Sequence, residues 1–186
     1  MTDDIRRDAD ARMGRALEAL ERDLGAIRTG RAATALVERI AVEYYGTSTP
    51  LNQLASISVP EAHQIVIQPW DRSALGAIEK AILKSDVGLT PNVDGTVVRL
   101  TIPTLTEDRR KDLVKLVHKR MEDSRVEIRN HRREVADEIK KGLRDGDIGV
   151  DEERRELELL QKVTDGWTGE VERVGKHKEQ EILEVA

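Results

Sequence analysis

The chain has 186 residues and a net charge of -5; 36% of it is charged, 2% is aromatic, and Phe and Cys are absent. That length suits one large domain or two small ones, and so few aromatics argue against a broad sheet core. Lack of Cys excludes disulfides, thiolate metal sites and Cys nucleophiles, and no apolar run is long enough to span a bilayer as a helix.

The N-terminus, Met1-Thr2-Asp3-Asp4, is acidic and has no signal-peptide pattern, so a soluble cytoplasmic protein is expected. A helix follows, with Met13, Leu17, Leu20, Leu24 and Ile27 spaced 4-3-4-3. Such spacing lays a narrow apolar stripe on one face, suited to packing helices side by side. From Arg31 to Thr104 the character changes: prolines gather, and short alternating runs occur at 40–45, 64–68 and 97–102. In the last of these, Val98, Leu100 and Ile102 face one way, and Asp94-Gly95 just before it suits a tight turn. Asp71 is placed to cap a short helix bearing Leu75, Ile78 and Ile82. Residues 31–104 therefore read as a small α+β domain.

Thr106, followed by Glu107 and Asp108, can open a second long helix. Its stripe is Val114, Val117, Met121, Ser124, Ile128, His131 and Val135. Gly146-Asp147-Ile148-Gly149 breaks the chain, and Asp151-Glu152-Glu153 can start a third helix with Leu157, Leu160, Thr164, Trp167, Val171, Val174 and Lys178 on one face. The expected architecture is an elongated antiparallel three-helix bundle, residues 1–30 and 105–186, with the small domain inserted at 31–104. The chain crosses between them near 29–31 and 103–105. Gly30, with its freedom of backbone angle, and Pro103, which ends a strand, suit a hinge there, with Leu105 completing the second crossing.

The modest net charge hides an asymmetry. Residues 109–144 hold 13 Lys and Arg against 7 Asp and Glu, whereas 145–186 hold 6 against 13. Screening limits fields to about 8–10 Å at physiological salt, so a basic rod can bind phosphate while another part stays acidic. Catalytic signals are absent: the four His residues are scattered, and no zinc-protease or phosphate-loop motif occurs. His131, on the apolar stripe, reads as a seam residue rather than a ligand or base.

Arg125, Arg129, Arg132 and Arg133 lie on one side of the middle helix, flanking its apolar stripe. Neither Arg129 nor Arg132 has an acid three or four residues away, whereas Arg133 has Asp137 four residues on. Two readings stand: the arginines pair with acids of the third helix, or they form a phosphate-binding ridge, which better explains the whole set. Arg28 and Arg31 add basic groups near the first crossing, and Arg109-Arg110-Lys111 opens the middle helix. With no interleaved aromatics, recognition of folded RNA by shape and backbone is expected rather than base stacking.

Several segments together carry a family resemblance. They are Ile27-Arg28-Thr29-Gly30-Arg31-Ala32, Tyr44-Tyr45-Gly46, Thr49-Pro50-Leu51-Asn52-Gln53 and Pro69-Trp70-Asp71, then Ile78-Glu79-Lys80-Ala81-Ile82 with Ser85-Asp86-Val87-Gly88. Ile102-Pro103-Thr104-Leu105-Thr106-Glu107-Asp108-Arg109-Arg110-Lys111 and Ile128-Arg129-Asn130-His131-Arg132-Arg133 complete the set. In this order the chain resembles the ribosome recycling factor family. The resemblance implies an L-shaped, monomeric protein with a three-helix bundle and an inserted β/α/β domain. It implies binding to large-subunit rRNA of the post-termination ribosome, and subunit separation with elongation factor G and GTP. No cofactor, metal, membrane association or catalytic residue is implied. Arg28, Arg31, Arg110, Arg129 and Arg132 match the family's RNA-contacting positions, with Arg133 and Lys111 beside them. The other classes considered are a helical adaptor that uses its arginines for interhelix pairing, and an enzyme built on the inserted domain.

Overall fold

The computed structural model describes residues 2–184, apart from the side chains of Thr2 and Asp3. Four helices and six strands follow the chain as α1 (Thr2–Gly25), β1 (Ala41–Tyr44), β2 (Thr47–Pro50), β3 (Ala55–Glu61), β4 (Gln64–Pro69), α2 (Leu75–Lys84), β5 (Pro91–Asp94), β6 (Val97–Thr101), α3 (Glu107–Arg144) and α4 (Val150–Glu184). They divide into two compact units, 2–28 with 107–184 and 29–106.

In the first unit α1, α3 and α4 pack on one another. The stripes read from the sequence form the seam: Met13, Leu17, Leu20 and Leu24 of α1, Val117, Met121 and Ile128 of α3, and Leu160 and Val171 of α4 are buried. At about 1.5 Å per residue, the 38 residues of α3 run about 57 Å. Two polar seam residues are satisfied, Thr164 within its own helix by donating to the Leu160 carbonyl at 2.8 Å and Ser124 across to α1 by donating to the Ala16 carbonyl at 3.5 Å. Gly175 lies where α4 crosses Met121, and a Cβ there would overlap the Met121 thioether. His131 departs from the expected seam, since it is half-buried at the stripe's edge between Glu127 and Glu134.

The turn between α3 and α4 is a glycine-stopped helix end. Gly146 has φ +81°, its N–H donates to the Leu143 carbonyl, and the Asp147 N–H donates to Gly142 at 2.9 Å. These paired bonds satisfy carbonyls that the end of a helix leaves open.

The second unit carries a hairpin, β1–β2, and an antiparallel sheet in the order β3-β4-β6-β5. Ile65 and Ile67 of β4 and Val98 and Leu100 of β6 point into one core with Val42, Leu51, Ile78 and Ile82. As the alternation required, Arg99 faces away and donates to Asp94 at 3.2 Å. Asp71 caps a 3-10 turn (Arg72–Ala74) that leads directly into α2, accepting the Ser73 N–H at 2.9 Å. The strands β2, β3 and β5 were not among the alternating runs.

Candidate nucleic-acid interface

The basic face of α3 is less uniform than its sequence suggests. Arg125 is half-buried and reaches across to α4, where Nε and Nη2 donate to one oxygen of Glu172 at 2.8 and 2.6 Å. Its Nη1 also donates to Glu122 at 2.7 Å. For this one arginine the pairing reading holds.

Arg129, with no acid three or four residues away, nonetheless finds an acidic partner on its own helix. Its Nη2 donates to Glu122 Oε1 at 2.8 Å, seven residues back. Seven residues is close to two full turns, so the two side chains share a face and a long guanidinium spans the gap. Glu122 thus holds two cations; hydrogen bonds from Arg129 and then Arg125 keep its carboxyl below the usual glutamate range.

Arg132 is half-buried and Arg133 exposed, and among the described residues neither has a carboxylate partner. Asp137, four residues beyond Arg133, does not pair with it. At the opening of α3, Lys111 bonds Glu107 at 2.8 Å, and Arg110 is half-buried. Arg28 ends the first segment of the helical unit and Arg31 lies three residues on in the second unit; both are exposed.

The crossing residues of the smaller unit are tied closely. Gly30 has φ +75°, and a Cβ there would lie 3.2 Å from Leu105 Cγ and 3.4 Å from the Pro103 carbonyl oxygen. His63, in the turn between β3 and β4, joins both crossings. Its Nδ1 lies 2.9 Å from the Gly30 carbonyl, which can only accept, so this nitrogen carries the proton. The His63 carbonyl in turn accepts from the Ile102 N–H at 2.8 Å. A lone histidine between Ala62 and Gln64 gives no sequence signal for such a role.

Among the described residues no group of three or more His, Asp or Glu is arranged to hold a metal ion, and no helix is long and apolar enough to cross a membrane.

The family model described as ribosome recycling factor matches residues 20–183. The ribosome-recycling factor of Shouchella clausii is 53% identical over the full length of both chains, and that of Thermomicrobium roseum is 50% identical over the same extent. A solution structure of ribosome recycling factor aligns with a TM-score of 0.75 at 48% identity, covering 99% of this chain and 98% of the other. A second structure describes the T. thermophilus ribosome recycling factor and the E. coli elongation factor G bound to the E. coli post-termination complex. It aligns with a TM-score of 0.62 at 43% identity, over 98% of this chain and 99% of the other. By sequence across its whole length and by fold, this chain belongs to the ribosome recycling factor family.

Proposed function

We propose that the protein recycles ribosomes after termination, as a translation factor without catalytic residues or cofactor. It docks on large-subunit rRNA and, with elongation factor G and GTP, separates the subunits. The RNA-contacting groups are Arg28, Arg31, Arg110, Arg129, Arg132 and Arg133. Supporting this is Arg132 with Arg133, two adjacent guanidiniums on a rigid helix that no carboxylate neutralises among the described residues. Paired cations of this kind stabilise neither the helix nor its packing, and they suit phosphate oxygens. Arg129 joins them by exchanging Glu122 for phosphate.

Gly30, Pro103 and Leu105 form the hinge, about which the small unit is pushed while the helical unit stays docked. The protein acts as a cytoplasmic monomer. Light scattering of post-termination ribosomes with this protein, elongation factor G and GTP tests the reading. Splitting by the wild type and its loss in a folded Arg132→Ala variant are expected. An inactive wild type would defeat the recycling reading, and weak ribosome binding indifferent to salt would favour the adaptor. Because the chain has no Cys, Val93→Cys with Val150→Cys gives a clean dye pair, one label in each unit. An energy-transfer efficiency that stays constant through splitting would remove the hinge.

A further inference from the structure

A groove of about 980 Å³ lies on the smaller unit between α2 and the β1–β2 hairpin, a volume suited to a small organic molecule. Its apolar lining includes Leu36, Ile40, Ala77 and Ala81, all half-buried. Three exposed cations, Arg39, Lys80 and Lys84, share that lining. Residues 29–106 hold only six Lys and Arg against seven Asp and Glu, so half of the unit's cations gather at this one place.

The stability of the fold does not account for them. Among the described residues none of the three has a carboxylate partner, although Glu43 and Asp86 line the same groove. Lys80 and Lys84 stand four residues apart on α2, a like-charge spacing that slightly disfavours the helix. Lys84 is compensated by the negative end of the helix, in whose last turn it sits; Lys80 is not. Gly76, in the first turn of α2, is a second departure from what the helix favours. A Cβ there would meet nothing within 4 Å, so alanine would fit and would suit the helix better. Glycine instead keeps the groove open and lets a ligand approach the helix closely.

We propose that this groove binds a small organic phosphate, its phosphate held by Arg39, Lys80 and Lys84 and its apolar body lying on the alanine and aliphatic lining. Ammonium groups hold phosphate as point charges, and a guanidinium adds a two-nitrogen grip. The two carboxylates narrow the class. A nucleic-acid backbone running along the groove would meet Glu43 and Asp86 as well as the cations, whereas a single phosphate head need meet only the cations. An anionic membrane is disfavoured too, because three cations fall short of the about 4–8 clustered Lys and Arg that dock on lipid surfaces. All the lining residues belong to the smaller unit, so the site is complete within it.

The test is an NMR titration of the full-length, isotope-labelled protein with hexyl phosphate, with inorganic phosphate and hexanol as the head and the body alone. Hexyl phosphate should shift amides of 36–43 and 76–87 saturably, half-complete below about 1 mM, and each half-molecule should bind at least about tenfold more weakly. Lys80→Ala combined with Lys84→Ala should weaken hexyl phosphate binding about tenfold. Gly76→Leu, which fills the groove from a position with open space, should abolish binding while keeping the thermal midpoint at or above wild type. Shifts that rise without saturating, or an affinity unchanged in the double lysine variant, would overturn the site. Inorganic phosphate binding as tightly as hexyl phosphate would overturn the organic ligand and leave an adventitious ion only. Co-sedimentation of the wild type with phosphatidylglycerol vesicles, lost in the double lysine variant, would overturn the free ligand in favour of a lipid surface.

Discussion

Arg129 reaches back along α3 to Glu122, its Nη2 2.8 Å from Oε1, and Arg125 donates to the other oxygen of the same carboxylate. One acid thus restrains both the pairing arginine, Arg125, and one arginine of the proposed RNA-contacting set, Arg129. Removing its charge should free Arg129 for phosphate, and Glu122→Gln is expected to tighten ribosome binding about threefold at moderate salt. Equal or weaker binding would mean that Glu122 orients Arg129 for the RNA rather than competing with it.

Arg125 and Arg132, seven residues apart on α3, should behave differently. Arg132→Ala is expected to weaken ribosome binding about tenfold, reduce the salt slope by about one, and leave the denaturation midpoint near wild type. Arg125→Ala loses the two-nitrogen grip on Glu172 of α4. Because that carboxylate is substantially exposed, the stability cost should be about 1 kcal/mol or less, with RNA binding little changed. Urea denaturation beside a salt titration separates the two, and the opposite pattern would exchange their roles.

The α3–α4 seam has little slack at Gly175. Gly175→Ala sets a methyl against Met121 and should cost about 1–3 kcal/mol. Adding Met121→Ala should then cost less than it does alone, a coupling readable from a double-mutant cycle. Simple additivity would show that the methionine swings clear at no cost.

Gly30 combines positive φ with close neighbours in Leu105 and Pro103. Gly30→Ala should destabilise the smaller unit by about 1–2 kcal/mol, measured by thermal unfolding. Proline at this position would instead force φ near -65° and break the crossing. An alanine variant as stable as wild type would mean that the crossing relaxes to negative φ.

The Tyr44–Asp71 bond has two pH limits. The Tyr44 hydroxyl first, and then Ser73, hold the Asp71 carboxyl below its ordinary range, while donation to that carboxylate raises the Tyr44 phenol. The aspartate contribution is present above its unfolded pKa and lost as pH falls through the lowered folded value. The tyrosine contribution is present below its unfolded pKa and lost as pH rises through the raised folded value. The gap in urea midpoint between wild type and Tyr44→Phe should therefore be flat near neutrality and close at both extremes. A gap constant at every pH would sink this account.

The helical unit was legible because one periodicity governs each of its long helices. Met13 through Leu24 and Val117 through Val135 needed only the 3-4 rhythm to be found. Three strands escaped for the opposite reason. Thr47–Pro50 and Pro91–Asp94 are short, polar and exposed on nearly every residue, so no alternation marks them. In Ala55–Glu61 only Ala55 is fully buried. The basic face of α3 was legible as a set but not in its pairings. As the partner of Arg129, Glu122 escaped a search at three and four residues because a guanidinium also reaches a neighbour two turns away. Glu172 escaped because contacts between helices depend on how they pack.

His63 holds the entry and exit of the inserted unit together, through Gly30 on one side and Ile102 on the other. To the growing chain, α1 and α3 are separated by a segment of more than 70 residues, whose closure as a loose loop would cost about 4 kcal/mol by the logarithmic rule. Once the insert has folded, that distance shrinks to the gap between two neighbouring strands of chain. The order of assembly is thereby biased: the small unit forms from its own contacts first, and α1 then meets α3 as if joined by a short loop.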